Sequence, residues 1–195
     1  MNQTIEILPL TTIRLDEVLL IVTGYISDEK YAVKKNEDGD HTIFDIQLVK
    51  LDKPHQANFE QDFNDEDYQR YTGMLSQGYS YGAYHHGQLV AFAISEVNDW
   101  NRSLRIWEFQ VMEDYRGHGI GRALMERVIS KAVESKLRII VLETQNTNVP
   151  AIRFYRRLGF MLEGLDLSLY TNEDMESGEV AFFMKRRLEA GENRE

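Results

Sequence analysis

Hydrophobic and polar positions along this chain change period several times, and each change predicts an element. The run KYAVKKNEDGDHTIFDIQLVKL offers two extended stretches around Asp38-Gly39, a pair suited to the positive backbone angles of a tight hairpin. FNDEDYQRYTGMLSQG predicts a helix with an acidic start that stops near Gly78. YSYGAYHHGQLVAFAISEV and SLRIWEFQVME follow, rich in β-branched and aromatic residues and broken by a turn at His86-Gly87. They predict three strands of an antiparallel meander.

From Gly119 the period switches from two to nearly four, because Ile120, Leu124, Val128 and Ala132 fall on one helical face. A strand has handed over to an amphipathic helix. LRIIVLETQ then reads as a buried strand, and NVPAIRFYRRLG as a short helix with Pro150 near its start and Gly159 past its end. FMLEGLDLSLY and GEVAFFMKRRL predict a closing hairpin. The fold class is α/β, a mixed α+β sheet flanked by helices.

Composition narrows what such a sheet can do. The 195 residues carry 32 acidic against 22 basic side chains, a formal charge of -10, which disfavours nucleic acid and anionic membranes and favours a cationic partner. Absence of cysteine excludes disulfides, thiolate metal sites and a cysteine nucleophile. The five histidines at 41, 55, 85, 86 and 118 show no metal-ligand spacing. The apolar run VLLIV near the N-terminus is too short for a membrane span, so a soluble, cytoplasmic protein is expected. No repeat or linker divides the chain, and residues 1–195 read as one domain whose first 60 residues are an extension or variable part.

The sharpest chemical signal is VMEDYRGHGIGRALMERVISKA. Glycines at 117, 119 and 121 permit a sharp turn, while the first turn of the following helix leaves amides unpaired and carries partial positive charge. That combination is a socket for phosphate or pyrophosphate. Arg116 and Arg122 flank it, able to pair with phosphate oxygens or to remain solvated. The loop lacks the lysine and hydroxyl pair of a P-loop and the parallel βαβ setting of a Rossmann fold.

YRGHGIGRAL, followed after one strand by NTNVPAIRFYRRLGF, resembles the two signature segments of the GNAT N-acetyltransferases. Within that superfamily, WNRSLRIWEFQV and LETQNTNVPAIRFYRRLGFMLEGLDLSLY resemble the streptothricin acetyltransferases, over the stretch from about Tyr79 onward. Glu113 departs from the family's frequent proline after the strand. The resemblance implies an acetyl-CoA site built from the strand residues Phe109, Gln110 and Val111, the loop residues Arg116, Gly117, His118, Gly119, Ile120, Gly121 and Arg122, and Asn148 and Ala151 beside the cofactor arm. Coenzyme A would be the product.

Tyr155 matches the family's general acid, whose hydroxyl protonates the leaving sulfur. Without the motif, Tyr155 reads as core packing and Asn148 as a helix cap. Glu108, on the strand leading into the loop, is the candidate base for the acceptor amine, or merely an attractor of its positive charge. Glu143, Asp166 and Glu179 complete an expected acidic pocket, with Trp107 and Tyr170 offering faces to a cation. The resemblance implies the β-lysine amine of a streptothricin as acceptor, and the absence of cysteine disfavours an acetyl-cysteine intermediate and points to direct transfer in a ternary complex. A polyamine or protein-amine acetyltransferase and a non-catalytic acyl-CoA sensor are the alternatives. No metal is expected, and exposed sheet edges leave room for a homodimer.

Overall fold

A computed structural model describes residues 5–59 and 65–188. Phe63 and Asn64, the first two residues of the segment predicted as a helix, lie outside them. The chain divides into two compact units, one formed by residues up to Gly24, Asn58–Leu142 and the C-terminal stretch from Arg186, the other by Tyr25–Ala57 and Glu143–Lys185.

The first unit is built on a mostly antiparallel sheet. β1 (Ile5–Pro9), β4 (Tyr81–His85), β5 (Gln88–Asn98) and β6 (Ser103–Val111) pair antiparallel in that order, and β7 (Ile139–Gln145) joins β6 in parallel. The meander expected from sequence is β4-β5-β6. Its first turn has positive φ at both His86 (51°) and Gly87 (80°), the backbone that matches the twist of a two-residue hairpin. Residues Leu89–Ser95 of β5 are buried without alternation, so both faces of this strand are covered. Helices α1 (Leu15–Ile21), α2 (Asp65–Leu75) and α3 (Ile120–Glu134) all contact β5.

One core gathers Leu10, Val18 and Ile21 from the N-terminal segment, Tyr71, Met74 and Leu75 from α2, and Phe92 and Ile94 from β5. α3 buries Ile120, Leu124, Val128 and Ala132, the stripe that its four-residue spacing predicts. α1 was not predicted. At seven residues its stripe, Val18 and Ile21, is too brief to separate from an apolar strand.

The second unit contains the long hairpin of β2 (Tyr25–Asp38) and β3 (His41–Ala57), α4 (Val149–Arg157), α5 (Asp174–Ser177), and the antiparallel pair β8 (Met161–Asp166) and β9 (Ala181–Arg187), which runs into the first unit at Arg186. The β2–β3 turn occupies Gly39 and Asp40, with Gly39 at φ 56°. α4 is capped as its sequence predicts: Asn148 Oδ1 accepts from the Ala151 amide at 3.2 Å, and Gly159 adopts φ 81° past the last turn. Asn148→Ala should cost about 1 kcal/mol of stability. A denaturant midpoint equal to that of the parent chain would show that the cap carries no weight.

Buried Asn146 ties this unit together. Its Nδ2 donates to the carbonyls of Tyr31 (2.7 Å) and Gly178 (3.2 Å), and its Oδ1 accepts from the Val180 amide (2.9 Å). Nothing in NTNVP marks that residue in the sequence. Its partners lie 115, 32 and 34 positions away. Among the described residues no helix is long and apolar enough to cross a membrane.

Candidate active site

In the first unit the strand leading to the glycine loop is distorted where the chemistry was expected. Ile94 pairs with Glu108 while Ser95 pairs with Ile106, so Trp107 is an extra residue in β6, and such a bulge raises local twist. The β6–β7 ladder ends at Ile106–Leu142, whereas β6 continues to Val111 through Phe109 and Gln110.

Glu108 is held by two donors, the Tyr71 hydroxyl at 2.7 Å and Gln110 Nε2 at 3.1 Å. Burial and then the charge of Glu108 push the Tyr71 hydroxyl well above the usual tyrosine range, so it remains a donor. Trp107 has cation neighbours within the chain. The guanidinium of Arg105 lies 3.8 Å and that of Arg70 4.8 Å from its ring centroid, and its indole N–H donates to Glu96. The cation partners of Trp107 are supplied by the protein itself.

The loop that follows is exposed from Arg116 to Gly119 and re-enters the core at Ile120. Gly117 and Gly119 have φ of 79° and 83°, a region that disfavours any side chain, and a Cβ on either would meet nothing within 4 Å. The backbone there is open to solvent. The first helical amide with an intrahelical acceptor is that of Ala123, which bonds Gly119 O at 3.0 Å. The amides of Ile120, Gly121 and Arg122 thus precede the ladder, beside the positive end of a 15-residue helix.

This geometry fits a pyrophosphate on the backbone. Arg116 is committed to the loop's own frame: Nε donates to Val111 O (2.9 Å), Nη1 to Gly24 O (3.0 Å) and Nη2 to Thr23 Oγ1 (3.0 Å). Two of its five N–H groups remain for a ligand. Arg122 and His118 are exposed, and Arg122 makes no ion pair among the described residues.

In the second unit three of the expected acceptor residues meet. The Tyr170 hydroxyl donates to Glu143, and Glu179 lies close enough for its charge to act on Tyr170. Partial burial, then the charge of Glu143, pushes the Tyr170 hydroxyl far upward. Tyr170 is oriented by buried Asp174, which accepts from the amides of Tyr170 (2.9 Å) and Thr171 (2.7 Å).

Two members of this cluster were not anticipated. The Tyr25 hydroxyl lies 2.6 Å from Thr147 Oγ1, and its ring sits 5.8 Å from that of His55, whose Nε2 is 3.9 Å from Glu179. Burial, then Glu179 and Glu143, raise the Tyr25 hydroxyl as well. Two carboxylates thus lie among hydroxyls that stay protonated. The signal that could have found His55 and Tyr25 is the pairing Ser27↔His55 and Tyr25↔Ala57, which brings the start of β2 to the end of β3. Asp166 accepts from the Ser168 amide at 3.0 Å as a turn closes β8.

Tyr155 is buried on α4, 5.4 Å from the Phe154 ring and 5.9 Å from that of Phe160. Asn148 spends its side-chain oxygen on the cap, and Ala151 supplies the capped amide.

Known proteins can now be set beside these features. The Acetyltransferase (GNAT) family matches residues 46–160. A streptothricin acetyltransferase of Streptomyces lavendulae is 42% identical over 98 residues, 50% of this chain, and the match spans only about half of that relative's length, 51%. A solved nourseothricin acetyltransferase is similar at 29% identity and TM-score 0.68, over 96% of this chain and 99% of its own. A solved putative streptothricin acetyltransferase of Bacillus anthracis, in complex with acetyl coenzyme A, shares the fold at 23% identity and TM-score 0.70, covering 95% and 100%. With an open glycine cradle at a helix start, a bulged strand leading into it, and a family match across both, this chain belongs to the GNAT family of acetyltransferases.

Proposed function

We propose that this chain is an acetyl-CoA-dependent N-acetyltransferase that modifies an amine of a streptothricin-type cationic antibiotic. Likeness to streptothricin and nourseothricin acetyltransferases is the observation that carries the acceptor. The Glu143, Glu179, Tyr25 and Tyr170 cluster supports it, since paired carboxylates suit an ammonium group.

Acetyl-CoA, when bound, supplies an acetyl thioester. The amides of Ile120, Gly121 and Arg122 and the glycine cradle would hold its pyrophosphate, and β6 backbone at residues 109–111 its arm and acetyl oxygen. An acceptor amine with pKa about 10.4 is neutral in roughly one molecule in a few thousand at neutral pH, a deficit of about 4.6 kcal/mol. Glu108, directly or through water, would take that proton, and Tyr155 would give one to the departing sulfur. Transfer is direct, because the chain has no cysteine to carry the acetyl group. Losing an ammonium charge weakens a cationic antibiotic's hold on RNA phosphates.

The test is release of coenzyme A from acetyl-CoA with streptothricin, spermidine and a lysine peptide supplied separately. Streptothricin should give the highest kcat/KM, by at least about tenfold. Faster turnover with spermidine or the peptide would move the acceptor to those amines. Cofactor binding without transfer to any of the three would point to a sensor or to an amine outside this set.

A further inference from the structure

Ahead of the glycine loop, the chain makes a 3-10 turn, Glu113–Tyr115, and the β4–β5 hairpin reaches across to hold it. The hairpin is irregular where this happens. Ala83 pairs with Ala91 but Tyr84 with Leu89, so Val90 is an extra residue in β5. Its carbonyl accepts from the Met112 amide at 2.9 Å, just before the turn. Past the same bulge, His85 Nδ1 lies 2.7 Å from the Tyr115 hydroxyl, with the two rings edge to face at 5.5 Å.

The other nitrogen of His85 is costly to keep. Nε2 is buried with no hydrogen-bond partner among the described residues, and an apolar side chain would avoid that penalty. The imidazole earns its place through Nδ1 and Tyr115. Tyr115 is followed directly by Arg116, whose guanidinium is fixed by Val111, Gly24 and Thr23, and then by the open residues Gly117 to Gly119. Two successive side chains therefore anchor the last rigid point before the cradle.

We propose that His85 is a positioning residue which, through Tyr115, fixes the start of the phosphate loop for the cofactor. The inference rests on the acetyl-CoA reading above. Without the bond, the backbone from Tyr115 onward would sample more conformations, and the amides of Ile120 to Arg122 would meet the pyrophosphate less often in register. Chemistry at the acetyl group would be untouched once the cofactor is bound.

Acetyl-CoA titration by calorimetry on the full chain, with steady-state kinetics, tests this in Tyr115→Phe, His85→Leu and His85→Asn. Asparagine places a polar atom where Nδ1 stands. Tyr115→Phe and His85→Leu should weaken acetyl-CoA binding roughly three- to tenfold, the worth of one hydrogen bond. KM for acetyl-CoA should rise in step and kcat at saturation hold, while His85→Asn should recover most of the affinity. Parent-like affinity in Tyr115→Phe overturns the proposal, as does a loss in His85→Leu that His85→Asn fails to recover. If the parent chain itself does not bind acetyl-CoA, the cofactor reading falls and takes the positioning role with it.

Discussion

Tyr155→Phe should lower kcat by about two to four orders of magnitude while acetyl-CoA affinity stays within about twofold. A thiol with pKa about 8.5 is mostly protonated at neutral pH, so the departing sulfur takes up a proton, and a donor beside it assists cleavage of the C–S bond. A tyrosine hydroxyl placed at the sulfur is a stronger acid than water and can deliver that proton. Phenylalanine keeps the ring packed beside Phe154 and Phe160, so the ring's share of the α4 packing is retained while the proton donor is lost. Single-turnover rates with streptothricin, alongside thermal melts, separate the two. A phenylalanine variant with parent-like kcat would return Tyr155 to core packing.

What the sequence disclosed about this molecule was local, and what it hid was distant. The helix at 120–134 is legible because its stripe repeats within one element, and α4 because its cap, proline and terminal glycine sit within a dozen positions. The cradle is legible because φ near 80° at residues 117 and 119 demands glycine. By contrast, Tyr71 reaches Glu108 across 37 positions and Tyr25 reaches Thr147 across 122. Trp107 illustrates the same limit: its side-chain type suggests a face for a cation, and nothing local signals that Arg70 of α2 comes within 4.8 Å of its ring centroid. Arg116 looks like a phosphate ligand by position, and the structure gives it a prior duty to three acceptors on its own unit.

Glu108→Gln should produce the other large effect, in both magnitude and pH dependence. The substitution is nearly isosteric: the new side-chain oxygen can still accept from Tyr71, while the charge, the basicity and the acceptor for Gln110 Nε2 are removed. If Glu108 receives the amine's proton, kcat/KM at neutral pH should fall about 10²- to 10⁴-fold. The acidic limb of the parent's pH profile, where a carboxylate base is lost by protonation, should vanish in the variant. Its residual rate should instead climb about tenfold per pH unit as free amine accumulates toward a pKa of about 10.4. Were Glu108 only an attractor of charge, KM for the acceptor would rise and the shape of the profile would be kept. An unchanged profile together with an unchanged KM would remove Glu108 from the site altogether, leaving Glu143 and Glu179 as the carboxylates to replace next.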